Sequence, residues 1–133
     1  MDAIEPGMTG TATMIVGTND TAPRVGSGKI AVLATPVMIN LIEEAALAAI
    51  EDALPVGMQS LGTHLDVSHI AATPVGMKTE ATATVSEIDG RTVRFDVEAR
   101  DQTDVIGRGS HTRMVVTADK FVARVDAKAR TAG

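Results

Sequence analysis

The chain has no cysteine, no tryptophan and no tyrosine, and its only phenylalanines are Phe95 and Phe121. Without cysteine there is no disulfide, no thiolate nucleophile and no thiolate-held metal, which suits a reducing cytoplasm. With so few aromatics the core must be aliphatic, and the stacking platforms that hold single-stranded nucleic acid are excluded. Positive charge is also scarce: 12 Lys and Arg stand against 17 Asp and Glu, a net charge of -5 at pH 7, with no cationic cluster along the chain. No nucleic-acid partner is therefore expected. Long apolar runs are missing too. The start, MDAIEPGMTG, lacks the basic and apolar stretches of a secretory signal. The longest mostly apolar segment, PVMINLIEEAALAAI, carries Glu43 and Glu44 and is too short to cross a bilayer. The expectation is a soluble, cytoplasmic protein with one domain over residues 1–133, since 44% hydrophobic and 22% charged residues are enough for one core.

What is present is periodicity. Met8 to Gly17, MTGTATMIVG, alternates small polar with apolar residues and predicts a half-buried or edge strand. Residues 18–34, rich in turn formers, predict a long loop with room for one helical turn, a length that suggests a lid. A helix is predicted over Pro36–Ala53: Thr35 is a good N-cap, Pro36 suits the first turn, and Ala, Leu, Ile, Met and Glu dominate until Pro55. Its apolar residues leave one polar stripe (Asn40, Glu44, Ala48, Glu51), the mark of a buried helix. Beyond Leu61 the period changes to two. Leu61, Thr63, Leu65, Val67 and His69 share one face of a predicted strand, with Gly62, His64, Asp66 and Ser68 on the other. Met77–Ile88 alternates again, Asp89-Gly90 signals a type I′ hairpin, and Val93, Phe95, Val97 and Ala99 line one face of the next strand. Val105–Thr117 reads as the last strand, and residues 122–133 as a frayed tail. A single helix that is apolar nearly all round needs a sheet that curls about it. The expected fold is α+β: an antiparallel sheet, its last four strands a meander, wrapped around one long central helix. That is the description of the hot-dog fold.

Taken alone, the polar residues inside this pattern allow more than one reading. His69, on an otherwise apolar strand face, is either a core or interface histidine satisfied by a backbone carbonyl, or a base with an ordinary pKa near 6.5. Glu43 lies at the rim of the helix's apolar side, where a carboxylate is unfavourable unless paired or wet. Thr35 is explained by helix capping. Arg113 shares a strand face with Val105, Gly107, Gly109, His111 and Val115, a glycine-rich run open to close approach of a backbone or ligand. His64 and His111 read as bystanders.

The segments LATPVMINLIEEAA, SLGTHLDVSHIAATPVG and DVIGRGSHTRMVV, with their spacing, resemble the fluoroacetyl-CoA thioesterase-like branch of the hot-dog superfamily over about Ala31–Phe121. The resemblance implies an acyl-CoA thioesterase, a homodimer with sites near the dimer interface, with pairing into a tetramer left open, and neither metal nor cofactor. It places the family's active-site threonine on Thr35, its glutamate on Glu43, its histidine on His69 and its oxyanion-hole glycine on Gly62. Its last-strand arginine falls on Arg113, expected to bind substrate or to form an interface ion pair. His69 becomes the expected general base, and Glu43 either a nucleophile or the group that orients His69 or water. Fluoroacetyl-specific members carry phenylalanines in a lid before the threonine. Here PRVGSGKIAVLAT has no aromatic, which argues against fluoroacetyl selectivity and leaves the acyl group open, with a small or medium one as the first hypothesis. The alternative is a non-catalytic hot-dog module that binds acyl-CoA or a related hydrophobic ligand.

Overall fold

In the computed structural model, which describes residues 1–133, the elements follow the order β1 (Thr9–Ile15), α1 (Ala22–Val25), α2 (Thr35–Ile50), β2 (Met58–His69), β3 (Lys78–Asp89), β4 (Thr92–Arg100), β5 (Val105–Thr117) and α3 (Ala118–Ala132). A short 3-10 turn, Glu51–Ala53, extends α2 to the predicted end. Every strand pairing is antiparallel, and the sheet order is β1-β3-β4-β5-β2.

The alternating faces of β3 and β4 meet the apolar side of α2. Ala81, Ala83 and Val85 of β3, Val93, Phe95, Val97 and Ala99 of β4, and Ile106 and Val115 of β5 join Met38, Leu41, Ile42, Ala45, Ala46, Ala49 and Ile50 in the buried cluster. The predicted stripe Asn40, Glu44, Ala48 and Glu51 is the exposed side of the helix. Alanines dominate the face of α2 under β1, and Gly10 completes that fit: a β-carbon there would strike the backbone of Ala45 and Ala49. The strand therefore seats directly on the helix.

Four expectations change. The last four strands are not a meander. Only β3-β4-β5 follow one another, while β2 crosses to the far edge beside β5, because β1 occupies the free side of β3. Alternation reports which face a side chain takes and is silent on which strand lies next door. The β3–β4 turn consists of Gly90 and Arg91. Gly90 has φ 60° and no non-glycine residue has a positive φ, which matches a type II′ turn and not type I′. Ala34, extended at φ -69° and ψ 140°, is the N-cap of α2, so Thr35 makes no capping bond and is free for other work. Finally, the tail is helical: α3 continues to Ala132, although none of its residues is buried.

Candidate active site

A bulge in β2 decides what faces the helix. Gly62 pairs with Arg113 and His64 with Thr112, leaving Thr63 as the extra residue. Inserting one residue shifts the alternation by one. Leu65, Val67 and His69 lie across from His111, Gly109 and Gly107 on the inner face, as expected. On the other side of the bulge, however, Ser60 and Gly62 are opposite inward-facing Val115 and Arg113, and Leu61 and Thr63 are displaced from the face predicted for them. Gly62 and His69, assigned to opposite faces by simple alternation, thus share one.

The inner face carries two polar clusters. The first joins the start of α2 to the end of β2: Thr35 Oγ1 lies 2.7 Å from His69 Nδ1. His69 Nε2 is buried and makes no hydrogen bond. Burial lowers the His69 pKa, and the backbone of Ala71 partly opposes that shift. The ring is therefore biased to the neutral form near pH 7. With Nε2 buried, Nδ1 is the nitrogen presented to the exposed Thr35 hydroxyl. This is the spacing of a hydroxyl and its base.

The second cluster lies under the bulge. A β-carbon at Gly62 would collide with the Glu43 carboxylate and come within 3.1 Å of His111 Cε1, so glycine is what makes room for Glu43 here. Arg113 donates from Nη1 to Glu43 Oε2 at 3.5 Å and to His111 Nε2 at 3.3 Å. Its Nε donates to Ser60 Oγ at 2.9 Å and its Nη2 to the Ser60 carbonyl at 3.1 Å. The guanidinium is buried, with 8% of the side chain exposed against 36% for Glu43. Burial lowers the Arg113 pKa and the Glu43 charge opposes this. Glu43 is therefore the wet end of an ion pair whose other end is fixed in the interior. Within the chain, Arg113 directs its donors to Ser60, Glu43 and His111.

His111, read from sequence as a bystander, is a member of this cluster. It is fully buried, stacked on Phe95 at 6.0 Å between centroids, and its Nδ1 lies 2.9 Å from the His64 carbonyl. A carbonyl can only accept, so Nδ1 carries the proton and Nε2 accepts from Arg113. Burial lowers its pKa, the His64 carbonyl opposes this, and the Arg113 charge lowers it further. The signal available in the sequence was a polar residue on the inward face of β5. Ser60 gave none, because the bulge that turns it inward is not written in the alternation.

The two clusters do not touch within one chain. Thr35 and Glu43 are eight residues apart on α2, about 12 Å of helical rise, and no hydrogen bond or ion pair joins them. Within a single chain Glu43 thus makes no hydrogen bond to His69. No group of three or more His, Cys, Asp or Glu is arranged to hold a metal, and no helix is long and apolar enough to cross a membrane.

Comparison with known proteins points the same way. Residues 16–119 match the family described as fluoroacetyl-CoA-specific thioesterase, FlK. A fluoroacetyl-CoA thioesterase from Streptantibioticus cattleyicolor is 41% identical over 97 residues, 73% of this chain and 70% of that protein. A threonine-to-serine variant of the thioesterase FlK, solved in complex with acetyl-CoA, superposes with a TM-score of 0.88 at 33% identity, covering 94% of this chain and 98% of that one. A hot-dog-like protein from Thermanaerovibrio acidaminovorans, at 22% identity, shares the fold with a TM-score of 0.86 over 96% of this chain and 94% of its own. With the curled sheet, the central helix and the threonine–histidine pair in place, the chain belongs to the fluoroacetyl-CoA-specific thioesterase family, thioester hydrolases built on the hot-dog fold.

Proposed function

We propose that the protein hydrolyses the thioester of a small or medium acyl-CoA in a site shared between two copies of the chain. The observation that carries this reading is the 2.7 Å contact between Thr35 Oγ1 and His69 Nδ1 beside a ring whose other nitrogen is buried. A water or hydroxyl at Thr35 finds there a neutral base with its free nitrogen outward.

The separation of the two clusters supports a dimer. Strand β2 is a 12-residue edge whose only charged side chain, histidines aside, is Asp66. It lacks the lysines, prolines or cover that keep open edges single. Leu61 and Leu65 stand partly exposed along it. Antiparallel pairing of two such edges centred between Leu65 and Asp66 would set His69 of one copy opposite Gly62 of the other, joining Thr35–His69 to the second copy's Glu43–Gly62.

In that composite site the thioester carbonyl lies against the Gly62 N–H, which stabilises the oxyanion of the tetrahedral intermediate. Glu43, aimed by Arg113, orients the attacking water. His69 takes the water's proton by way of Thr35. Collapse of the intermediate breaks the C–S bond, and the proton held by His69 passes to the departing thiolate, giving the free acid and CoA. Residues 18–34 form the lid over the acyl end. Val25 and Ile30 are exposed on it with no aromatic beside them, which supports an aliphatic acyl group. We place the enzyme in the cytoplasm, where acyl-CoA thioesters are made and used.

Free-thiol release from acyl-CoAs of increasing chain length, for wild type beside His69→Ala, tests this. Removing the base is expected to lower kcat on the order of 10²-fold or more. Saturable acyl-CoA binding with no turnover of any substrate would instead favour a non-catalytic binding module.

A further inference from the structure

The acidic chain gathers three of its cations at one place away from the polar clusters. A cavity of about 250 Å³ lies between the β3–β4 turn and the first turns of α3, and it is lined by Arg91, Lys120 and Arg124 together with Met114 and Thr117. No acidic side chain lines it. None of the three cations forms an ion pair, since the salt bridges of the molecule belong to Arg94, Arg100 and Arg113. The positions are held by backbone. Val115 N–H donates to the Arg91 carbonyl at 2.8 Å, and Ala118 N–H to the Gly57 carbonyl at 2.9 Å. Arg124 is further steadied over the Phe121 ring, 5.8 Å from its centroid.

Two features of this arrangement disfavour the helix that carries it. Lys120 is in the first turn of α3, where the helix dipole repels a cation. Lys120 and Arg124 are also four residues apart on one face, a like-charge pair that repels itself. Local conflicts of this kind are expected where a ligand relieves them, and an anion in the cavity would relieve both. The unpaired guanidinium of Arg91 adds the forked donor geometry that suits phosphate.

We propose that this cleft binds a phosphate-bearing ligand, either the nucleotide end of the CoA thioester or a separate phosphorylated small molecule. The first source rests on the proposed hydrolase activity; the second does not.

The test is calorimetric titration of adenosine 3′,5′-bisphosphate and of CoA into wild type and into the Arg91→Ala/Lys120→Ala/Arg124→Ala variant, with Lys128→Ala, also on α3, as the control. All three cations are exposed, so an unchanged melting temperature is expected. The bisphosphate should bind wild type and Lys128→Ala alike and lose 10-fold or more in affinity in the triple variant. Kinetics then separate the sources. A matching rise in KM for acyl-CoA, with kcat and the turnover of an acyl-pantetheine unchanged, would assign the cleft to the substrate's nucleotide. Weakened bisphosphate binding with an unmoved KM would assign it to a separate phosphate ligand. Equal bisphosphate affinity in wild type and triple variant, or none in either, would overturn the proposal. Because binding is measured without turnover, failure of the hydrolase reading would not be mistaken for failure of the cleft.

Discussion

His111 shows how a buried titratable residue ties the site to folding. Its Nδ1–H is bonded to the His64 carbonyl and its Nε2 accepts from Arg113, so the ring has no place for a second proton. Burial lowers the pKa of both His111 and His69 below the ordinary 6.5. Below pH 6.5 the unfolded chain therefore binds more protons than the folded one. Stability is fully present above that pH and is lost as the pH falls toward the lowered folded values, by at most about 1.4 kcal/mol per pH unit for each histidine. His111→Phe keeps a ring against Phe95 but leaves an Arg113 N–H and the His64 carbonyl unpaired. It is expected to destabilise the protein by about 1–3 kcal/mol at neutral pH and to flatten the acid limb of stability. Denaturant unfolding of both proteins between pH 5 and 8 measures the two effects; an acid limb as steep in the variant would show that His111 does not titrate on unfolding. The same ring also tells how far sequence reading reached. Thr35, Glu43, Gly62, His69 and Arg113 were named from the family resemblance, whereas His111 lies in a resembling segment but on none of its site positions, and is distinguished only by what surrounds it.

Among the elements, α2 was legible almost to the residue, because an apolar circumference with a single polar stripe has one physical outcome, burial against a sheet. The faces of β3 and β4 were legible for the same reason. The fit between β1 and α2 depends on a smaller detail. Gly10 has no φ that requires glycine; it is glycine because the backbone of α2 occupies the volume of its β-carbon. Gly10→Ala must push strand and helix apart, and overpacking of this type costs about 1–3 kcal/mol. A melting temperature equal to wild type would mean that β1 is not seated as described. The bulge at Thr63 was not legible at all. Alternation assigns faces only while the count stays even, and a single extra residue moves Ser60 and Gly62 inward. The proposed oxyanion site depends on that one residue, since it brings Gly62 to Glu43.

At the scale of the whole molecule, the separated clusters and the open edge of β2 make a prediction about pairs of chains. If each site takes Thr35 and His69 from one copy and Glu43 and Gly62 from the other, Glu43→Gln and His69→Ala variants are each inactive alone. A mixed dimer of the two has one intact site, because the His69→Ala chain supplies Glu43 and the Glu43→Gln chain supplies His69. Co-refolding the inactive variants should then restore up to about a quarter of wild-type specific activity, since about half of randomly mixed dimers are hybrids with one of two sites working. No recovery, with hybrids confirmed by mass spectrometry, would place the whole site within one chain.

What the sequence by itself determined was the set of parts: a mostly aliphatic core, one buried helix, strands of readable inward faces, and a family motif onto which five expected site residues fall. These follow from local physics, in which a residue's periodicity and propensity act over a few neighbours. Tertiary structure decided the rest. It placed β2 on the far edge beside β5, turned Gly62 toward Glu43, freed Thr35 from capping to meet His69, drew His111 and Ser60 into the cluster, and brought Arg91 beside Lys120 and Arg124. Each of these joins residues distant in the chain, or shifts the register between strands, and the free energy that selects them is shared by both partners. No local stretch of sequence contains it.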